Sequence, residues 1–486
     1  MQSVEQDIWR NASVNPEKVA VKSGKEIVTY AELTARIVVA MEKLQQLPDY
    51  APGKCIIVGA SKQIEFVYIY FGAHLAGLTV APIDTETNPD RFAYISNTLH
   101  PICVIGLDRI TTETPILSLK EFKSLNNISG NTVSDEIKFP PADSIADILF
   151  TTGTTGTPKG VPLTYLNEAA AVRNINSFIR NSTDDVELLA LPVSHSFGLG
   201  RLRCCLANGQ TIILLGSFVN LKKFFRTIEE ENVTGLTMVP ASWKFIEKMS
   251  GEKLAEYSPQ LRYIEMGSAF FSAEDKRRLA ELFPVTRVTM HYGLTEASRS
   301  AFMEFHEDIS HIDSVGKASP YTDIKIYSEQ GRPLDTNEEG EICIKGEHVT
   351  KGYAYIDNDN TFYDSYFRTG DYGMIDVDGY IYLKSRIKEL INVGGKKVSP
   401  SEVDEQILKI DGIEDCACVG IPDPEGIMGE LVKAYIVKSA GSSLTIEEIR
   451  KALTGKLESY KLPVEYEWIE AIPKTQNGKI QRNLLK

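Results

Sequence analysis

Between residues 55 and 295 short apolar runs alternate with amphipathic stretches. The runs CIIVGA (55–60), LTVAPI (78–83), DILFTT (147–152), TIILLG (211–216), LTMVP (236–240) and YIEMGS (263–268) read as buried strands. LKKFFRTIEEEN (221–232) and AEDKRRLAELF (273–283) read as helices. The alternation predicts an α/β fold, with sheets covered by helices. From about residue 320 to 385 the texture changes to Gly-, Asp- and Asn-punctuated strands such as IKIYSEQGRPL and GEICIKG, which predicts a turn-rich, more antiparallel, barrel-like subdomain. After Arg386 the segments ELINV, SEVDEQILKI, DCACVGI, LVKAYIVK, TIEEIRKALTGKLE and YEWIEAI predict a small α+β domain. Its first helix opens on Ser399-Pro400-Ser401-Glu402, the signature of a capping box with proline at the first helical position. The expected organisation is a large N-terminal domain over 1–386 and a small C-terminal domain over 387–486.

Composition narrows the class. The chain has 486 residues, 43% hydrophobic and 24% charged, with mean hydropathy −0.15, enough for a sizeable core in several domains. A net charge of −14 argues against a general nucleic-acid or anionic-membrane binder. No run approaches the roughly 20 apolar residues of a membrane span, and the N-terminus MQSVEQDIWRN has no apolar core, so the expected location is cytoplasmic. The seven cysteines form no CxxC or Cys/His cluster and sit mostly in apolar runs, as reduced core residues do. Cys416 and Cys418 would share one face of a strand.

One segment is dense in chemistry. Phe150-Thr151-Thr152-Gly153-Thr154-Thr155-Gly156-Thr157-Pro158-Lys159-Gly160-Val161 follows an apolar strand and gathers small glycines, hydroxyls and one lysine, which suits close backbone approach to a polyphosphate. Lys159 lies between Pro158 and Gly160, so the spacing departs from that of a P-loop ATPase.

With this loop in place the chain resembles the acyl-adenylate-forming superfamily of acyl-CoA synthetases, firefly luciferases and peptide-synthetase adenylation domains, and it is most similar to the acyl-CoA ligase branch. Further motifs follow in the family's order: Tyr292-Gly293-Leu294-Thr295-Glu296, then Thr369-Gly370-Asp371 with Gly373, Asp376, Asp378-Gly379-Tyr380 and Arg386, then Pro473-Lys474-Thr475-Gln476-Asn477-Gly478-Lys479. By this resemblance Thr151, Thr152, Gly153, Thr154, Thr155, Gly156 and Lys159 hold the β- and γ-phosphates of ATP. Tyr292 stacks on adenine against Gly267, Ser268 and Ala269. Thr295 meets the α-phosphate, Glu296 binds Mg²⁺, and Asp371 and Arg386 serve the ribose. Lys479 bridges the acid and the α-phosphate, where charge builds in the transition state. Lys388 is the hinge about which a mobile C-terminal domain rotates between the half-reactions.

The resemblance also bears on the substrates. His195, in LPVSHSFGL (191–199), matches the histidine of the acyl- and aryl-CoA branch, and no aspartate stands between Leu191 and Gly200 to hold an amino acid's ammonium group. Gly394 and Gly395 in VGGKKVSPSEV (393–403) resemble the CoA-ligase loop along a pantetheine tunnel, with Lys396 or Lys397 toward CoA phosphates. Arg299 stands where relatives usually carry a small or apolar residue, which suggests either a contact to a second polar group on the acid or an ion pair within the protein. The expected reaction is formation of an acyl-AMP with release of pyrophosphate, then a thioester with CoA. Two other readings stay open: loading of a carrier-protein phosphopantetheine, and an inactive nucleotide-binding or regulatory protein.

Overall fold

The computed structural model describes residues 3–127, 137–151, 158–474 and 480–485. The chain forms two compact units, Met1–Asp323 with Ile344–Phe367, and Ile324–Cys343 with Arg368–Lys486.

In the first unit a six-stranded sheet contains β1 (Cys55–Ala60), β2 (Thr79–Asp84), β3 (Ile145–Thr151) and β4 (Lys159–Thr164) as neighbours in that order. β1, β2 and β3 run parallel, while β4 returns antiparallel beside β3. A nine-stranded sheet carries the parallel strands β5 (Val186–Leu189), β6 (Thr211–Leu214), β7 (Gly235–Met238), β8 (Tyr263–Met266) and β9 (Arg287–Tyr292), ordered β9-β8-β7-β5-β6. β6, β7 and β8 are buried along their whole length, which explains why they read as continuous apolar runs rather than alternating ones. Helix α1 (Ile64–Leu75) is buried on every side and apolar nearly all round, the pattern of a helix enclosed by other layers. Helices α2 (Tyr165–Ile179) and α3 (Ser196–Ala207) follow β4 and β5 and pack against each other. The strands and helices expected over 55–295 are present.

In the second unit β10 (Tyr366–Ile375), which begins in the first, turns back into β11 (Ile381–Arg386), with Asp371 opposite Arg386. The C-terminal portion holds an antiparallel pair, Ile413–Pro422 with Glu430–Lys438, and a parallel third strand, Glu465–Trp468. Cys416 and Cys418 lie on the face that packs on Val403, Ile407, Ile449 and Leu453, and Ala417 and Val419 lie on the other, so the two thiols do share a core-facing side. The predicted capping box is only half formed. Ser399 accepts from the Glu402 amide at 3.3 Å, but the Glu402 carboxylate takes Lys461 at 2.7 Å instead of returning to the cap. An ion pair to a half-buried lysine has displaced the reciprocal bond. Among the described residues no helix is long and apolar enough to cross a membrane.

Candidate active site

Parallel strands bring their carboxyl ends to one edge, where backbone groups and loop side chains are free to meet a ligand. β8 delivers Gly267, Ser268 and Ala269, and its neighbour β9 delivers Tyr292 and, just beyond, Thr295 and Glu296. β5 leads into α3, whose N-cap is His195, a half-buried residue that makes no side-chain capping bond. Ser196 Oγ lies 3.5 Å from Thr295 Oγ1, so the start of α3 meets the loop after β9. Tyr292 is buried, and Ser268 adopts a left-handed φ of 71° that turns the chain out of β8.

The strands that flank the expected phosphate loop pair directly, with Thr151 opposite Lys159. Thr152, Gly153, Thr154, Thr155 and Gly156 lie outside the described residues. The Lys159 ammonium sits 4.6 Å over the ring of Tyr353, whose hydroxyl donates to Glu296 Oε1 at 2.8 Å. Backbone bonds bind the same segment on both sides: Ala354 N–H donates to the Gly160 carbonyl at 2.9 Å and Thr350 N–H to the Glu296 carbonyl at 2.8 Å. Tyr353 therefore joins the lysine of the phosphate hairpin to the carboxylate expected to hold metal. It carries no motif of its own in the sequence. Its loop is shaped by Asn358, which accepts from Tyr353 N–H at 2.7 Å and donates back to the Tyr353 carbonyl at 3.0 Å.

Behind the strand ends lies a buried ion network. Arg299 Nε donates to Glu265 Oε1 at 2.8 Å, Nη2 to the Phe197 carbonyl at 3.0 Å, and Nη1 reaches Ser298 Oγ at 3.3 Å. His291 Nδ1 lies 2.7 Å from Glu265 as well, and burial holds the histidine below its ordinary pKa despite that carboxylate. All three Arg299 nitrogens thus have partners within the protein, the ion pair to Glu265 among them, while the arginine also lines the cavity between α2 and α3. The arginine ties the first turn of α3 to β8. The same packing accounts for Gly267, since a Cβ there would lie 2.1 Å from the His291 ring.

A cavity of about 20 Å³ opens between α2 and α3, lined at one end by Ser196, Thr295 and Ser298 and elsewhere by Val172, Ile175 and Glu168. That is room for about one water.

In the second unit Arg386 Nε pairs with Asp371 Oδ1 at 2.9 Å, and its Nη1 donates to the Thr369 carbonyl at 2.9 Å. Gly370, inside β10, takes a left-handed φ of 70° that favours glycine, one residue before Asp371. Gly394 and Gly395 form the tip of a two-stranded hairpin, Ile391–Val393 with Lys396–Val398, at φ 59° and 82°. Positive φ at both positions is what the tight hairpin turn requires, so their presence has a backbone reason independent of any ligand. Lys396 stacks over Tyr460 and Lys397 pairs with Glu329. Lys388 is exposed in the short turn Ile387–Glu389 after β11, and Lys479 lies outside the described residues.

Residues 8–354 match the AMP-binding enzyme family and residues 402–479 match the AMP-binding enzyme C-terminal domain. The chain belongs to the AMP-binding enzyme family. Relatives of this AMP-binding enzyme include an oxalate–CoA ligase of Arabidopsis thaliana, 30% identical over 97% of this chain and 95% of the relative. A 2-succinylbenzoate–CoA ligase of Staphylococcus aureus is 28% identical over 99% of both chains. Among solved structures, ATP-bound MatB from Rhodopseudomonas palustris matches with a TM-score of 0.89 at 24% identity, covering 100% of this chain and 98% of that one. The o-succinylbenzoate CoA synthetase MenE from Bacillus subtilis, in complex with its acyl-adenylate intermediate, matches with a TM-score of 0.86 at 23% identity and the same coverage. The expected family and α/β architecture are borne out.

Proposed function

We propose that this AMP-binding enzyme seats ATP over the strand ends that carry Gly267–Ala269 and Tyr292–Glu296, with its acid presented beside Thr295. The chain is an ATP-dependent, AMP-forming acid–thiol ligase. A carboxylate oxygen attacks the α-phosphorus, the bond to pyrophosphate breaks, and the acyl-AMP then loses AMP to a thiol sulfur, that of CoA. The observation that carries the placement is the chain Lys159–Tyr353–Glu296, which sets a cation and a carboxylate side by side next to the phosphate hairpin.

Glu296 fits a magnesium ligand. It is buried, one oxygen accepts from Tyr353, and among the described residues the other has no hydrogen-bond donor, which suits an ion that takes one carboxylate with phosphates and waters. Magnesium bound there would neutralise charge on the phosphate oxygens. Thr295, which Ser196 Oγ meets at 3.5 Å, and His195, which precedes Ser196 at the N-cap of α3, orient the acid and the α-phosphate. Thr151 to Gly156 and Lys159 receive the β- and γ-phosphates, Asp371 and Arg386 the ribose, Gly394 and Gly395 the pantetheine, and Lys479 the developing charge. Residues 387–486 turn about Lys388 between the two half-reactions. The cysteines are all buried free thiols, which favours a cytoplasmic setting.

Acid-dependent exchange of pyrophosphate into ATP, followed by addition of CoA, tests this reading. Exchange with a carboxylic acid, then AMP release with thioester formation on CoA addition, is expected. Lys479→Ala should lower exchange by about 10²–10³-fold, and Lys388→Pro should keep exchange while losing thioester formation. Thioester formation with a phosphopantetheinyl carrier protein but not with CoA would replace the acceptor, and no exchange with any acid would return the chain to a nucleotide-binding role.

A further inference from the structure

The tail that follows the Lys479 motif is held by one arginine. Arg482 opens the short turn Arg482–Leu484, and its side chain is only 11% exposed. The guanidinium forks to three acceptors that lie 64, 78 and 93 positions earlier in the chain. Nε donates to the Cys418 carbonyl at 3.0 Å, Nη1 to Glu389 Oε2 at 3.2 Å, and Nη2 pairs with Asp404. These acceptors belong to the strand Ile413–Pro422, the turn Ile387–Glu389 and the helix Pro400–Leu408. Three acceptors in three directions suit a planar, rigid fork and not the point charge of a lysine.

The anchor is built into the core of the small domain. Asp404 is 5% exposed, and its Oδ1 accepts from the Cys418 N–H at 2.6 Å. Burial pushes its carboxyl up to about 6, and the Arg482 charge pulls it back down. Charges this deep are kept only where they are paired, so the pair fixes Arg482 in place. Apolar contacts hold the same tail from both ends. Ile472 before the motif and Leu485 after it are buried on the sheet face of Ala417 and Val419, and Ile480 packs beside them. Lys474 forms an antiparallel bridge with Ile480, and the Gln481 N–H donates to the Pro473 carbonyl at 2.8 Å. Lys479 lies outside the described residues, but it is one peptide unit, about 3.8 Å, from Ile480. Whatever holds Ile480 therefore bounds the backbone origin of the lysine.

We propose that Arg482 is a positioning residue for Lys479. It fastens the tail to the core of the small domain through Asp404 and Cys418, and to the residue directly after the hinge through Glu389, so that turning about Lys388 carries the lysine with it. This rests on the adenylation role given to Lys479 above. By that role the lysine acts while the acyl-AMP forms and not while the thiol attacks. Loosening its base slows the first half-reaction alone.

The test measures the half-reactions separately: pyrophosphate exchange over short-chain fatty, aryl and dicarboxylic acids, and thioester formation with CoA from the supplied acyl-AMP of the acid that exchanges best. Arg482→Ala should lower exchange by about 10- to 10²-fold, the loss expected when a change at a distance misplaces a reacting group, and leave thioester formation at the wild-type rate. In the Lys479→Ala background the same substitution should change exchange by less than about twofold, because a residue that acts only through the lysine has nothing left to position. Arg482→Ala leaves the Asp404 carboxylate buried without its cation. Arg482→Gln combined with Asp404→Asn, which buries no unpaired charge, is therefore measured beside it and should divide the half-reactions in the same way. Equal loss of both half-reactions in both variants, wild-type exchange in both, or a further loss of about tenfold when Arg482→Ala is added to Lys479→Ala overturns the proposal. Wild-type exchange in Lys479→Ala overturns the adenylation role of the lysine, and absence of exchange with every acid overturns the ligase reading itself.

Discussion

Tyr353 does two separable things with one side chain: its ring faces the Lys159 ammonium at 4.6 Å and its hydroxyl donates to Glu296 at 2.8 Å. A ring beneath a cation contributes about 0.5–2 kcal/mol, and a hydrogen bond to a carboxylate about 1.5–3 kcal/mol. Tyr353→Phe removes only the second. The expected result is a rise of about 5- to 30-fold in KM for magnesium ATP, equivalent to roughly 1–2 kcal/mol lost from orienting Glu296, with little change in Tm. A KM within twofold of wild type would show that the tyrosine serves only the packing of its loop. Arg299 shows the converse at the same scale. It stands where relatives usually carry a small or apolar residue, and with Glu265, Ser298 and the Phe197 carbonyl around its guanidinium it fastens the scaffold.

At the scale of elements, the site depends on how neighbouring parallel strands touch sideways. Gly267 directly follows β8 and His291 is the penultimate residue of β9, and a methyl group on the first would lie 2.1 Å from the ring of the second. Gly267→Ala should therefore push His291 and the adjoining Tyr292 aside, costing about 1–3 kcal/mol of stability and weakening ATP binding. Gly267→Ala combined with His291→Ala should recover part of both losses, so a double-mutant cycle with coupling above about 0.5 kcal/mol is expected. Purely additive losses would mean the clash is relieved elsewhere. This element pair also shows what was legible beforehand. An apolar run marks β8, and the YGLTE spacing marks Tyr292 and Glu296, because strand burial and short motifs are local properties. The contact between Gly267 and His291 depends on which strands lie side by side, and Tyr353 reaches Glu296 across 57 positions, so no local spacing signals either. The half-formed cap at Ser399 has the same origin: Glu402 answers to Lys461, a partner set by tertiary packing.

At the scale of the whole first unit, one buried histidine fastens several layers. His74 of α1 bonds Glu5 of the N-terminal helix and Asp147 of β3, its carbonyl accepts from the Tyr165 hydroxyl of α2 at 3.0 Å, and Asp147 passes the network to Arg203 of α3. Burial alone would discharge the ring, but hydrogen bonds to Asp147 and Glu5 outweigh it and raise the pKa from 6.5 to about 10. Because the folded value lies above the unfolded one, the stabilisation is complete below about 6.5 and drains away as pH climbs toward about 10. Removing the ring would leave two buried carboxylates short of a cation, a loss on the order of a few kcal/mol. His74→Gln should accordingly lower Tm at pH 7 and show a shallower decline between pH 7 and 10 than wild type. Lysines, tyrosines and cysteines titrate in both proteins over that range, so the difference between the two thermal-melt series isolates His74. Parallel declines in the two series would place the histidine uncharged in the folded core and remove it as the fastening of these layers.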